Sequence, residues 1–148
     1  MPTSERPPMH AWRSFVRAKA EIRRAVHQEL RERGLTGAQL DILRVLADSG
    51  SDGVQLNEIS QRLYVTPGNV TGLIDRLEEA GYLARVSHPD DRRITLAVLT
   101  PSGREIFQQV CPAHLARIEH LMSVLTEQEQ MLLVELLDRI ADRAAGMC

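Results

Sequence analysis

The sequence predicts a mostly α-helical fold with a small β-hairpin. Aromatic residues are only 3% of the 148 residues, so Leu, Ile, Val and Ala must build the core, and this composition suits helices. Apolar residues recur at helical spacing along most of the chain. Alternation with period two, which is typical of a half-buried strand, occurs over residues 94–99. The length corresponds to one domain, or to one domain with appended helices.

The amino-terminal part predicts two helices after a short irregular start. Residues 1–9 contain prolines and are expected to be disordered. Residues 10–34 form a long helix that ends at a glycine. Thr36 and Gln39 have the spacing of a capping box, which begins the second helix. Residues 54–55 can form only a very short strand.

A helix-turn-helix and a two-stranded wing are predicted in residues 35–99. The segment LNEISQRL forms a helix of about two turns. In the helix that follows, Thr66 is the expected N-cap, and Pro67 takes the first helical position, where its missing N–H costs nothing. A glycine ends that helix, and two strands joined by the turn HPDDRR follow it.

Two further helices are predicted in residues 100–148. Thr100 and Pro101 repeat the cap-and-proline start, and Thr126 with Glu129 forms a second capping box before a Leu-rich last helix. The apolar faces of these helices and of the first helix contain more Leu, Ile and Val than one small domain can cover. We therefore expect them to be dimerisation helices that hold two copies of the chain together.

The second helix of the helix-turn-helix begins with a composition that suits DNA. Its first residues, TPGNVTG, are small and polar at the exposed positions, and the major groove that such a helix enters is only ~12 Å wide. The net charge is −2, yet residues 1–35 carry eight basic and four acidic side chains, and residues 85–104 carry four and two. The acids Asp75, Glu78 and Glu79 lie in the far half of this helix, where they can orient arginines without facing phosphates.

Paired acids and paired arginines occupy the predicted wing tip. The strand residues expected to face the core are Ile94, Leu96 and Val98. By the same parity Arg93 faces outward, and Asp91 can hold its guanidinium by a charge-assisted hydrogen bond. Arg92 falls on the other side. A solvated hairpin tip is the alternative explanation, but a narrow A·T-rich minor groove favours an inserted arginine, so Arg93 is the expected wing residue.

These residues resemble the winged helix of MarR-type bacterial regulators. The matching segments are LNEISQRLYVTPGNVTGLIDRLEEAGYL and HPDDRRITLAVLTPSG, and the resemblance covers nearly the whole chain. Its most specific part is the DxR…LTxxG pattern, formed by Asp91, Arg93, Leu99, Thr100 and Gly103. The resemblance implies a homodimer on an inverted-repeat operator in double-stranded DNA. It also implies a repressor that a small, often aromatic or phenolic, ligand releases from DNA.

The resemblance also implies site residues. Those at or near DNA are Thr66, Pro67, Gly68, Asn69, Thr71, Arg76, Asp91, Arg92 and Arg93. Arg76 would contact phosphate and Arg93 the minor groove. Gly72 stands where relatives frequently have a longer polar or basic residue, so one contact is absent. Candidates for a ligand pocket between the dimer helices and the winged helix are Trp12, Phe15 and His114.

A redox- or metal-responsive regulator of the same fold is the alternative. Cys111 and His114 share a helical face, but Pro112 lies between them and a third and fourth metal ligand are missing. A redox-sensing thiol needs exposure and a lowered pKa, whereas Cys111 is expected to be buried beside the apolar stripe. We therefore expect neither a metal nor a cofactor.

Other protein classes fit the sequence less well. It has no nucleophile elbow, phosphate loop or HExxH motif, so catalysis is not expected. A winged helix used only for protein contacts has no need of TPGNVTG and DDRR together. No apolar run approaches the ~20 residues that cross a bilayer, and the first residues lack the apolar core of a signal peptide. A cytoplasmic protein without membrane contact is expected.

Overall fold

The computed structural model describes residues 6–63 and 67–147, and these ranges form a mostly helical fold with one small antiparallel sheet. The helices are α1 (Pro7–Glu32), α2 (Gly37–Asp48), α3 (Leu56–Leu63), α4 (Pro67–Glu79), α5 (Pro101–Met122) and α6 (Glu127–Ala145). The strands are β1 (Val54–Gln55), β2 (Leu83–Ser87) and β3 (Thr95–Leu99), in the order β1-β3-β2. The chain divides into two compact units, residues 1–114 and 115–148. None of the described helices is long and apolar enough to cross a membrane.

Helix α1 begins earlier than the sequence predicts. It starts at Pro7, so the expected disorder through residue 9 is wrong for residues 7–9. Proline is tolerated in the first turn because the backbone N–H groups there have no intrahelical partner. The helix ends near Gly34, which has the positive φ of +72° that favours glycine.

The predicted capping boxes are both present. In α2, the Thr36 hydroxyl accepts a hydrogen bond from the Gln39 N–H at 3.2 Å, and the Gln39 side chain accepts one from the Thr36 N–H at 2.9 Å. In α6, the Thr126 N–H donates to Glu129 at 2.8 Å, and the Glu129 N–H donates to the Thr126 hydroxyl at 3.3 Å. Each box satisfies two N–H groups at a helix start, so these starts are determined locally.

The core of the first unit lies between α2, α3, α4 and the sheet. Its fully buried side chains include Leu40, Leu43, Leu46, Ile59, Ile74, Leu77 and Leu83. The buried positions on α4 are spaced at three and four residues, so one face of that helix is committed to the core and the other remains open.

Both faces of β3 hold a buried residue, although only one face was expected to. Leu83 pairs with Leu99 and Arg85 with Ala97, and directly opposed residues of an antiparallel pair lie on the same face. Because Leu83 is in the core, Ala97 is in the core as well. The expectation for Ile94, Leu96 and Val98 is confirmed in part: Leu96 is buried, the other two are half-buried, and Arg93 and Thr95 are exposed as expected. It is wrong in that Ala97, on the opposite face, is the residue that packs with Leu83. Leu96 is buried on the face away from Leu83, which the turn before β1 covers: a Cβ on Gly53 would approach Val98 Cγ1 to 2.8 Å.

A backbone junction joins the end of α4 to the start of α5. Thr100 donates its hydroxyl hydrogen to the Gly81 carbonyl at 2.5 Å and its N–H to the Tyr82 carbonyl at 3.2 Å. The same hydroxyl accepts the N–H of Gly103 at 3.0 Å and so caps α5. Any Cβ at Gly103 would lie 1.7 Å from the Tyr82 oxygen. The LTxxG pattern is therefore explained by close packing of two backbones.

Candidate DNA-binding surface

The exposed face of α4 is formed by small and polar residues. Gly68, Asn69, Thr71 and Gly72 are exposed in its first two turns, whereas Val70 is 1% exposed. Asn69, Gly72 and Arg76 are three and four residues apart, so they lie on one side of the helix. Arg76 is also exposed. Thr66 lies outside the described residues, as does the side chain of Pro67.

Packing does not require the glycines on this face. A Cβ built on Gly68 or on Gly72 would meet no described atom within 4 Å. Glycine in a helix interior costs roughly 0.5–1 kcal/mol relative to alanine. The thin start of α4 therefore carries a stability cost that packing within the protomer does not explain, as expected for a helix that approaches another molecule closely.

The wing tip holds Arg93 in a bidentate ion pair. Its Nε and Nη2 donate to the two carboxylate oxygens of Asp91, each at 3.0 Å, and its N–H also donates to Asp91 at 3.0 Å. The side chain of Arg93 is 90% exposed and that of Asp91 33% exposed. The hydrogen bonds from Arg93 lower the pKa of Asp91, and the bond to Asp91 raises the pKa of Arg93.

The predicted pair is confirmed, but its predicted cause is wrong. The Ile94 N–H donates to the Asp91 carbonyl at 3.0 Å, so Asp91 to Ile94 form a turn rather than an extended segment. An Asp at the first position of a turn accepts hydrogen bonds from the backbone two residues on, as the Arg93 N–H does here. Arg92 is exposed in the same turn.

Arg85 is a contact that the sequence did not single out. It lies in β2, and its guanidinium donates to Asp75 and to Glu78 of α4. The pKa of Arg85 is raised, and the hydrogen bond to Asp75 contributes most to this shift. The alternation of side chains along a strand could have indicated this contact. Arg85 is two residues after the buried Leu83 and therefore faces the same side of the sheet.

The three ligand-pocket candidates do not form one group in the protomer. Trp12 and Phe15 lie in α1 with ring centroids 6.0 Å apart, and both are exposed. His114 is only 6% exposed, and its ring stacks on His27 with centroids 6.2 Å apart. His27 comes twelve residues after Phe15 in the same helix, which is about 18 Å along the axis at ~1.5 Å per residue.

The His27–His114 pair belongs to a polar cluster with Asp41 and Arg44 of α2, in which His114 is buried and the other three residues are half-buried. Burial lowers the pKa of both histidines, and nearby arginines lower them further. Burial raises the pKa of Asp41. Within the described residues, His114 Nδ1 and the Nε and Nη2 of Arg44 are buried without a hydrogen-bond partner. Sequence reasoning missed this cluster because its members come from three helices that are distant in the chain.

The expected burial of Cys111 is not observed. Cys111 is half-buried, whereas Val110 and His114 are buried. The inward face of α5 runs through those two residues, and Cys111 lies beside it, about 100° around the helix from Val110. Among residues 6–63 and 67–147, no three His, Cys, Asp or Glu side chains are grouped as metal ligands would be.

Comparison with known proteins identifies the family. Residues 33–94 match the MarR family. The chain is 34% identical over 131 residues to the uncharacterized HTH-type transcriptional regulator YkoM of Bacillus subtilis, covering 88% of this chain and 84% of that protein.

The fold is similar to solved structures of known proteins, of which two bear on function. One is Sco3205 of Streptomyces coelicolor, a MarR family transcriptional regulator in complex with DNA, with a TM-score of 0.84, 25% identity and coverage of 90% of this chain and 85% of that chain. The other is BpsR of Bordetella bronchiseptica, whose DNA binding is regulated by 6-hydroxynicotinic acid, with a TM-score of 0.78, 27% identity and coverage of 96% and 97%. The chain belongs to the MarR family of winged helix-turn-helix, DNA-binding transcriptional regulators.

Proposed function

We propose that the chain is a homodimeric repressor that binds an inverted-repeat operator and leaves it when a small aromatic or phenolic ligand binds. The observation that carries the proposal is the pairing of two exposed elements. One is the small, polar start of α4, and the other is a wing tip whose Arg93 is 90% exposed and already oriented by Asp91. These suit a major groove and a minor groove respectively.

The roles proposed at DNA follow from side-chain chemistry. Asn69 and Thr71, exposed near the start of α4, read base edges, and Asn69 pairs with adenine through its amide. Arg76 contacts phosphate two turns further along the same side. Asp91 and Arg92 support Arg93 at the flanking minor groove. A two-fold dimer presents two such surfaces about 34–36 Å apart, so half-site centres are expected ~10 bp apart.

The proposed dimer is supported by apolar surface outside the winged helix. Helix α6 has no buried residue, and its large exposed apolar side chains are Met131, Leu132, Val134, Leu136, Leu137 and Ile140. Helix α1 exposes Trp12, Phe15 and Val16 as well. Several large apolar side chains exposed on one helix are typical of a protein interface. Both helices are among those for which the resemblance implies a role in dimerisation.

The proposed ligand site is centred on His114 rather than on Trp12 and Phe15. A buried polar atom without a partner costs about 1–3 kcal/mol, so a ligand that bonds to Arg44 and to His114 Nδ1 recovers that energy. A carboxylate accepts from Arg44, and a ring hydroxyl donates to His114. The similarity to BpsR supports this chemistry, because 6-hydroxynicotinic acid carries both groups.

Selection of bound duplexes from random DNA tests the DNA-binding part. An inverted repeat with the stated spacing is expected, and a footprint over one unrepeated site would contradict the dimeric arrangement. Release from the selected duplex is then measured with hydroxylated aromatic carboxylates. Arg44→Met should keep DNA binding and lose release, while Arg24→Met, a substitution on the exposed surface of α1, should leave both unchanged. Equal release from all three proteins would overturn the ligand site.

A further inference from the structure

Arg85 connects the wing to the recognition helix α4. Its Nη2 donates to Asp75 Oδ1 at 2.5 Å, its Nη1 donates to Glu78, and its backbone N–H donates to Glu78 Oε1 at 3.3 Å. The Arg85 side chain is 25% exposed, less than either acid. By contrast, the pairs Arg24–Glu21 and Arg62–Glu58 each lie within one helix, and Arg93–Asp91 lies within the wing loop. Arg85 thus makes an ion-pair connection between two separate elements, the wing and α4.

The part of the wing beyond Arg85 has little strand pairing. Strand β1 pairs only with Leu96 and Ala97, so beyond Arg85 the hairpin is held by the pairs Val86–Leu96 and Ser87–Thr95, without a third strand beyond Leu96 among the described residues. Such a two-stranded hairpin is marginally stable by itself. Arg93 lies four residues beyond Ala97, the partner of Arg85, which is at most about 13 Å at ~3.3 Å per residue, so a rotation of about 10° at Arg85 moves Arg93 by up to about 2 Å.

Arg85 also offsets negative charge beside the DNA-facing surface. Thr71, Asp75 and Glu78 are spaced at four and three residues, so both acids continue the side of α4 that Thr71 begins. Unpaired, they would repel phosphates. Orientation of the wing and neutralisation of charge are therefore two separate roles for one guanidinium, and they predict opposite results when the acids are removed.

We propose that Arg85 is a positioning residue for DNA binding, which holds the wing against α4 so that Arg93 and the start of α4 reach their grooves together. The proposal rests on the proposed function, because it requires that Arg93 contacts DNA. Arg85 itself need not touch DNA, since its guanidinium is directed at α4.

The first test removes both acids. The double variant Asp75→Ala, Glu78→Ala breaks the connection and makes the surface more positive by two charges, while alanine keeps α4 helical. If Arg85 only neutralised charge, this variant would bind the duplex selected by the wild-type protein more tightly. Positioning predicts weaker binding, by about tenfold, with an unchanged melting temperature of the winged helix within a few degrees.

The second test couples Arg85 to Arg93. Arg85→Gln should weaken binding about tenfold in the wild-type background but about twofold or less when Arg93→Ala is already present, a coupling within the range of interacting residues. Arg85→Lys, which keeps the charge but not the planar fork, should recover only part of the loss. Arg24→Gln removes an exposed ion pair in α1 and serves as the matched control, with unchanged binding.

The outcomes distinguish failure of the proposed Arg93 contact with DNA from failure of the positioning role of Arg85. If Arg93→Ala leaves binding unchanged, the proposed wing contact is wrong and the positioning role falls with it. If Arg93→Ala weakens binding but the acid double variant binds as tightly as wild type or tighter, only the positioning role is overturned. Additive effects of Arg85→Gln and Arg93→Ala would overturn it too. Where Arg85→Gln lowers the melting temperature, the acid double variant and Arg85→Lys decide.

Discussion

The guanidinium of Arg93 is oriented before any DNA is present. Two of its nitrogens donate to Asp91 at 3.0 Å, although the side chain is 90% exposed. A long side chain that is already ordered loses less conformational entropy when it binds. The pair adds little to the stability of the fold, because exposed ion pairs are weak, so the proposed contact with DNA is the role that remains to be tested for it.

Substitutions at the wing tip should separate these roles. Arg93→Ala should weaken operator binding by about 1–3 kcal/mol, the scale of one good arginine contact. It should lower the salt slope by roughly one per wing if a phosphate contact is lost with it. Asp91→Ala should give part of this loss, and Arg92→Ala should cost less than either. Binding curves at two salt concentrations, with thermal melts as controls, measure this. If Arg92→Ala is the most damaging while all variants remain folded, Arg92 is the wing's reader.

Gly103 should be the least tolerant glycine of the winged helix. Gly103→Ala forces a Cβ to within 1.7 Å of the Tyr82 carbonyl, so the start of α5 must move. Overpacking of this kind costs about 3 kcal/mol or more, and a chain of this size should then melt at least several degrees lower. Gly72→Ala, which meets no described atom within 4 Å, is the control and should keep or raise the melting temperature. Equal melting of the two variants would contradict the backbone junction.

At the scale of elements, the His27–His114 pair links α1 to α5 over the start of α2. His114 hydrogen-bonds to the backbone of Val26, and a Cβ on Gly37 would lie 2.3 Å from the His27 ring. Arg44 and Arg23 lie near the pair and disfavour a further positive charge, whereas Asp41 favours it. The three helices therefore pack around imidazoles that are most stable when neutral.

Stability should consequently fall as the pH is lowered below 6.5. Because the pKa of each histidine is lowered in the folded chain, the unfolded chain binds more protons just below pH 6.5. The stabilisation is complete above pH 6.5 and is lost as the pH falls through the folded pKa. Thermal melts from pH 7.5 to 5 should show this decline, and His114→Gln should flatten it. His10→Gln, on the exposed start of α1, should not. The raised pKa of Asp41 has the opposite effect on stability, since its contribution decreases as the pH rises above about 3.8.

Short sequence motifs predicted where helices begin and end better than they predicted which side of a strand packs against the core. The caps at Thr36 and Thr126 and the left-handed Gly81 depend on neighbouring residues, so the sequence was sufficient for them. The faces of β3 were predicted only in part: Leu96 is buried as expected, but Ala97 is buried too, and only pairing with β2 shows that Ala97 lies on the side of Leu83. The contact between Arg85 and α4 and the cluster at His114 required the tertiary fold, since their partners are distant in sequence or come from other helices.

At the scale of the whole molecule, dimerisation should depend on the last helix. Cutting the chain after Leu125 removes α6, whose apolar side chains are exposed in the protomer, and should abolish both dimer formation and specific DNA binding. Ile140→Glu should weaken both in the full chain, because Ile140 is 58% exposed and unnecessary for the protomer core. Sedimentation and operator binding measure the two effects, with Glu135→Ala as the exposed control. A truncated protein that sediments as a dimer and binds its operator would refute the prediction.

The junction at Thr100 has a consequence for how such chains diverge. Thr100 and Gly103 are held to the backbone of Gly81 and Tyr82, and none of these contacts depends on which bases α4 reads. A descendant could therefore acquire a new operator by changing Asn69, Thr71 or Gly72 while the junction stays the same. Shared LTxxG in two relatives is thus evidence of a shared frame, and under the proposed function the start of α4 and the wing tip are what bear on whether they control the same genes.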